Sequence, residues 1–218
     1  MPTVIDMHSH SVFSDDARAT VEQYLKWVTT VLRKNHRLDG IVLTEHRGFD
    51  ADHDYADLAA QYDVLVLRGS ELDTACGHFL VYGVTPELQQ AIDFTDVKMD
   101  PLRLVAEAER CGGIAVPAHP GRRGNGLIEF LSNGFPLERV PVVELINGGS
   151  SHWENDRAKT LAEKGRCHGI AGSDAHFVSN IGTCLTEFER PVSDVKDLVA
   201  ELREGHFRAL RLSAVRTA

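Results

Sequence analysis

Cysteine is scarce in this chain: Cys76, Cys111, Cys167 and Cys184 stand far apart among 218 residues. No CxxC pair and no dense cysteine framework is present, which argues against thiolate metal sites and disulfide scaffolds and leaves reduced thiols as the expectation. Long apolar runs are missing as well. Nothing approaches the roughly 18 residues of a membrane span, and the start, Met1 to Ser11, has no basic region followed by an apolar stretch. A cytoplasmic protein with no membrane partner is expected. Basic charge is in deficit, with 23 Lys and Arg against 32 Asp and Glu and a net charge of −9. That balance disfavours long nucleic acid as a partner. Repeats, low-complexity tracts and Gly/Ser linkers are absent too. The 43% hydrophobic and 25% charged residues fit one folded domain over 1–218.

What the chain has in excess is histidine, 11 residues, about twice the usual share, and histidine is the commonest metal ligand. The histidines sit in a chain that alternates short β-branched runs with amphipathic stretches, the pattern of a mainly parallel sheet. Strands are predicted at Thr3–Met7, Gly40–Leu43, Val64–Leu67, Phe79–Val84, Gly113–Val116, Val142–Ile146, Cys167–Ala171 and Phe207–Leu212. Helices are predicted at Val21–Leu32, Tyr55–Gln61, Leu102–Cys111, Trp153–Lys164 and Val195–Arg203. The patch from Gly121 to Gly126 reads as an active-site loop.

Most of the candidate ligands fall where apolar runs stop. His8 and His10 follow Val4-Ile5, and a one-residue gap in extended chain points both rings the same way. Asp15 comes five residues later in a turn-like segment that can bring a carboxylate back over the strand end. His46 ends Ile41-Val42-Leu43-Thr44-Glu45-His46, Glu71 follows Val64 to Leu67, and His119 follows Ile114-Ala115-Val116-Pro117-Ala118. Asp174 and His176 follow Gly169-Ile170-Ala171, while His78 instead precedes Phe79-Leu80-Val81. In barrels of parallel strands the C-terminal strand ends carry the chemistry.

The ordered set His8-x-His10, Asp15, Thr44-Glu45-His46, Glu71, His78, Ala118-His119-Pro120-Gly121-Arg122 and Gly172-Ser173-Asp174-Ala175-His176 resembles the PHP (polymerase and histidinol phosphatase) family of metal-dependent phosphoesterases. The resemblance implies an α/β fold, a distorted (β/α)7 barrel with its metal centre at the C-terminal ends of the strands. It also implies nine metal ligands: His8, His10, Asp15, His46, Glu71, His78, His119, Asp174 and His176. Six imidazoles and three carboxylates suit two or three divalent ions of Zn, Mn or Fe better than Mg or Ca, and Glu71 is a bridging candidate. A metal-bridging hydroxide is the expected nucleophile. PHP phosphatases resemble this chain in an Arg after the AHPG run, so Arg122 is assigned to substrate phosphate, with Arg123, Arg47 and Asn147 as further substrate-binding candidates. His176 or Asp15 is the expected proton donor to the leaving oxygen. Asp6, Thr44, Ser173 and Asn147 are expected to orient ligands through hydrogen bonds. Glu45 and Asp16 read as solvated, Trp27 and Trp153 as core, and His36, His53, His152, His168 and His206 fit no motif.

The expected reaction is hydrolysis of a small phosphorylated metabolite. Alternatives are a nucleotide or oligonucleotide phosphodiesterase or exonuclease, a non-catalytic metal-binding module, or hydrolysis of C–N or C–O bonds as in amidohydrolase barrels. The interval between His78 and His119 is too short for an inserted lid domain, so short loops must select the substrate.

Overall fold

Seven consecutive buried residues from Thr3 to Ser9 can form only a strand covered on both faces, and the chain builds outward from it. A computed structural model describes residues 1–212. In chain order the elements are β1 (Thr3–Ser9), α1 (Val21–Thr30), β2 (Gly40–His46), α2 (Ala56–Tyr62), β3 (Leu65–Thr74), β4 (Gly77–Tyr82), α3 (Pro86–Ala91), α4 (Pro101–Arg110), β5 (Ile114–Pro117), β6 (Val142–Asn147), α5 (His152–Gly165), β7 (His168–Gly172), β8 (Cys184–Phe188), α6 (Val195–Glu204) and β9 (Phe207–Arg211), with short 3-10 turns between some of them.

The helices begin where the side chains can close their open N–H groups. Thr20 accepts from the Gln23 N–H while the Gln23 side chain accepts from the Thr20 N–H, and Val21, Tyr24, Leu25 and Val28 then give α1 one buried face. Ser151 and Glu154 cap α5 in the same reciprocal way.

β1, β2 and β3 run parallel in a seven-stranded sheet of order β5-β4-β3-β2-β1-β8-β9. β4 folds back antiparallel on β3 through a tight turn, where Gly77 takes a φ of 94° that a side chain would resist. β5 is antiparallel to β4, β8 to β1, and β9 to β8. β6 and β7 form a separate parallel pair. This pair lies between β5 and β1 and curls the whole into a distorted barrel. The join to β1 is narrow: a single bridge, Ser9 with Ala175, flanked by His10 N–H to the Ala175 carbonyl (2.9 Å) and Asp174 N–H to the His8 carbonyl (2.8 Å). Lower down, the Thr186 hydroxyl of β8 accepts from the Ala171 N–H and donates to the Ala171 carbonyl, replacing main-chain pairing there.

Ile5, Met7, Val42, Leu80, Tyr82, Val116, Ile170 and Phe188 fill the interior, and Leu198, Val199 and Leu202 of α6 join the same cluster. The eight predicted strands and five predicted helices all occur, with shifted ends. The element order departs from a strict (β/α)7 alternation. No α-helix stands between β3 and β4 or between β7 and β8 among the described residues, and β4, β8 and β9 are antiparallel to their neighbours. For β3 and β4 the physical reason is that only Ala75 and Cys76 separate the strands, too few for a crossover, so the chain reverses direction; β7 and β8 are joined by residues 173–183, which hold only a short 3-10 turn. β8 and α3 have no counterpart among the predicted elements. No helix of the described residues is long and apolar enough to cross a membrane.

Candidate metal centre

Strand register brings the donors together. β2 and β3 pair so that His46 lies opposite Glu71, and β3 and β4 pair so that Asp73 lies opposite His78. His8 and His10 come from the end of β1, His119 from just past β5, and Asp174 and His176 from just past β7. Gly172 allows the close approach of β7, since a Cβ there would strike the main chain and Cβ of His8. His119 and Asp174 occupy positive φ, 29° and 54°, an uncommon state for residues with side chains that concentrates at functional sites.

Glu71 is the centre of the arrangement and is 2% exposed. Its Oε2 lies 3.1 Å from His8 Nε2, 3.2 Å from His10 Nε2 and 3.3 Å from His46 Nδ1. Its Oε1 lies 2.9 Å from both His78 Nδ1 and His119 Nε2. Asp174 Oδ1 adds contacts of 3.4 Å to His8 Nε2 and 3.3 Å to His10 Nε2. Three groups of atoms able to hold an ion follow: His8, His10, Glu71 and Asp174; Glu71, His78 and His119; and His10, His46 and His176. The carboxylate shared by the first two groups turns one oxygen to each.

The donor chemistry fits divalent ions. His8 Nε2 and His10 Nε2 face each other at 3.0 Å with two carboxylate oxygens beside them, so four atoms that offer lone pairs once the imidazoles give up their protons converge on one point, the donor set of a divalent cation. His10 Nδ1 and His119 Nδ1 are buried with no hydrogen-bond partner in the protein, which costs about 1–3 kcal/mol per buried polar group. The electrostatics agree. Burial pushes the Glu71 and Asp174 carboxyls up, but the His8 charge and hydrogen bonds from the neighbouring imidazoles prevail and hold both well below the usual range. Burial pulls His8 and His10 down, yet the surrounding carboxylates raise His8 well above its usual value and His10 to about 8. His46, dominated by burial, falls to about 4.

Eight of the nine ligands expected from the sequence thus share one cluster. Asp15 is exposed and has no place in it. Asp16 instead puts a carboxylate oxygen 3.4 Å from His46 Nε2 and 3.3 Å from His176 Nε2. Ser14 decides this: its hydroxyl donates to Glu45 at 2.5 Å and accepts from the His46 N–H at 3.0 Å, which turns the following residues so that the second aspartate faces the histidines. His176 directs its Nδ1 at the Asp174 carbonyl, 3.0 Å away. A carbonyl only accepts, so the ring carries a proton on Nδ1 and turns Nε2 toward Asp16.

Arg122 reaches the cluster. Its Nη2 donates to Asp174 Oδ2 at 2.6 Å and to Asn147 Oδ1 at 2.7 Å, and its Nε donates to Ser150 Oγ at 3.2 Å. Asn147 spends its amide on Arg122, Glu144 and Asp174, so it acts as a brace for Arg122. Arg123 lies over the Trp153 ring at 4.7 Å, and Arg47 lies 3.7 Å from Asp73. Neither guanidinium enters the donor groups.

Other residues behave differently from their sequence reading. Glu45 is fully buried, accepting from the Ser11 N–H and from the Ser11 and Ser14 hydroxyls. Trp153 is 52% exposed, because α5 presents it outward between Arg123 and Arg157. Asp6 accepts from the main-chain N–H groups of His8, Ser173 and Gly182 and so holds loops, not rings. Glu144 and Asp73, which no sequence motif marks, touch His8 Nδ1 at 3.0 Å and His78 Nε2 at 2.9 Å.

Residues 152–207 match the family model described as PHP-associated. No curated protein matches the sequence. Among solved structures, PsfC from Pseudomonas syringae is similar at a TM-score of 0.71 and 22% identity, over 97% of this chain and 92% of that one. A candidate metal-dependent phosphoesterase from Bifidobacterium adolescentis is similar at 0.60 and 16%, over 92% and 96% of the two chains. The lesion-specific endonuclease PfuEndoQ from Pyrococcus furiosus is similar at 0.68 and 14%, over 96% of this chain and 58% of that one.

Proposed function

We propose that the chain is a PHP-family metal-dependent phosphoesterase acting on a small phosphorylated metabolite, a monoester or short diester, a reading supported by its PHP-associated segment over 152–207 and by its fold. The carrying observation is the attachment of Arg122 to the donor cluster through Asp174, which sets a guanidinium beside the converging imidazoles and carboxylates. A guanidinium matches phosphate oxygens in pairs.

Two or three divalent ions of Zn, Mn or Fe, when bound, supply Lewis acidity and an activated water. His8, His10, Glu71 and Asp174 would hold one, Glu71, His78 and His119 a second, and His46, His176 and Asp16 a third. Glu71 spans the first two positions. Arg122, fixed by Asn147 and Ser150, orients the non-bridging phosphate oxygens and offsets their charge as the ester bond breaks. One domain over 1–218 is part of this reading.

The test is hydrolysis of p-nitrophenyl phosphate by the purified chain with Mn(II), Zn(II) or Fe(II). His10→Ala and Asp174→Ala are expected to abolish it, and Arg122→Ala to raise KM about tenfold or more. Full activity in chelator-treated buffer would sink the proposal. A second reading, cleavage of nucleotide or oligonucleotide diesters, is favoured by the fold shared with PfuEndoQ. Faster turnover of short oligonucleotides than of any monoester would establish it instead.

A further inference from the structure

Glu144 belongs to β6, on the smaller sheet, and is fully buried. Three groups converge on its carboxylate. His8 Nδ1 lies 3.0 Å from Oε1, while Oε2 accepts from the His119 main-chain N–H at 2.6 Å and from Asn147 Nδ2 at 3.0 Å. Both amide groups only donate, so Oε2 is acceptor to two hydrogens and has no room for one of its own. Of the two groups that meet at Oε1, an imidazole is ordinarily a stronger base than a carboxylate, so the hydrogen between them sits on His8 Nδ1. An imidazole protonated there keeps its second lone pair on Nε2, the atom that faces Glu71, Asp174 and His10.

We infer that Glu144 is a positioning residue that fixes His8 as the Nδ1–H tautomer, and so holds Nε2 open to a divalent cation. The same carboxylate clamps the main chain of His119 at its φ of 29°, so one side chain sets donors on both sides of Glu71. The inference rests on the metal-centre reading and goes beyond it by naming what controls the protonation of a ligand.

Glu144→Gln is the informative change because it keeps shape but replaces one acceptor by a donor. With the amide oxygen toward His119 and Asn147, its NH2 faces His8 Nδ1 and moves the ring hydrogen to Nε2, into the donor cluster. The reverse orientation sets the NH2 against two other donors and costs more.

Long-range proton–nitrogen NMR of the labelled full chain loaded with zinc(II) is expected to show His8 carrying hydrogen on Nδ1 in the wild type. E144Q is expected to bind zinc(II) about 10–100-fold more weakly in chelator competition, with an unchanged circular dichroism spectrum. A purely structural role for Glu144 would lower the melting temperature and leave the tautomer and zinc affinity alone, and that result would overturn the inference. So would a wild-type His8 carrying hydrogen on Nε2, which decides the matter even if E144Q does not fold. Failure to take up any zinc would overturn the metal reading and this inference together. Zinc uptake with Nδ1–H on His8 but no hydrolysis of any phosphate ester would refute the proposed function alone.

Discussion

Adjacent aspartates, Asp15 and Asp16, make opposite use of one turn. Only the second faces His46 and His176. Asp16→Ala is therefore expected to lose the ion of that outer group and about tenfold or more of any hydrolytic activity, while Asp15→Ala retains both; metal content by plasma mass spectrometry with parallel rates checks this. Protonation supplies a second expectation. His10 is raised from 6.5 to about 8, so at pH 7 the metal-free protein carries a proton there that a cation must displace. Metal affinity should rise with pH through about 8 and go on rising beyond it, because His8, also held well above its usual value, must give up a proton too, and calorimetry in buffers of different ionisation enthalpy should detect proton release at pH 7. The clustered strand-end donors were legible in the sequence because each stands where an apolar run stops. Glu45 and Glu144 were not: a carboxylate inside a strand reads as solvent-facing, and the groups that bury it arrive from far away, His8 being 136 positions from Glu144.

Elements, in turn, fix how accurately the residues are held. α1 sends the Tyr24 hydroxyl into the join between β1 and the segment after β7, where it lies 2.7 Å from the His10 carbonyl and 2.9 Å from that of Ala175. Tyr24→Phe leaves those carbonyls without their shared donor. It should cost about 1 kcal/mol in denaturant unfolding and lower metal affinity, since both carbonyls belong to or adjoin ligands. Asp194 provides a contrast: it accepts from the N–H groups of Lys196 and Asp197 at the start of α6. Asp194→Ala should cost a similar ~1 kcal/mol without touching metal content. The start of α6 was readable from residue type, since Ser193-Asp194 before Val195 is a capping signal. β8 was not, because its pairing with β1 depends on a reversal that a reading of alternating strands and helices does not anticipate.

At the scale of the molecule, the donors come from two sheets. His8, His46, Glu71 and His78 belong to the larger sheet, with His10 and His119 just past its β1 and β5, and Asp174 and His176 follow β7 of the smaller one. Bound ions should stabilise the fold by about 4 kcal/mol at a thousandfold excess over Kd, a shift on the order of 10 °C in Tm. Calorimetry with and without chelator measures it. Chelation should also speed hydrogen exchange at His10 and Asp174, whose N–H groups form the narrow main-chain join. The single Ser9–Ala175 bridge leaves the two sheets tied by few main-chain bonds at the very place where the donors meet, so under the proposed reading a bound ion would be a main fastener between them, and the fold and the site would share one rivet.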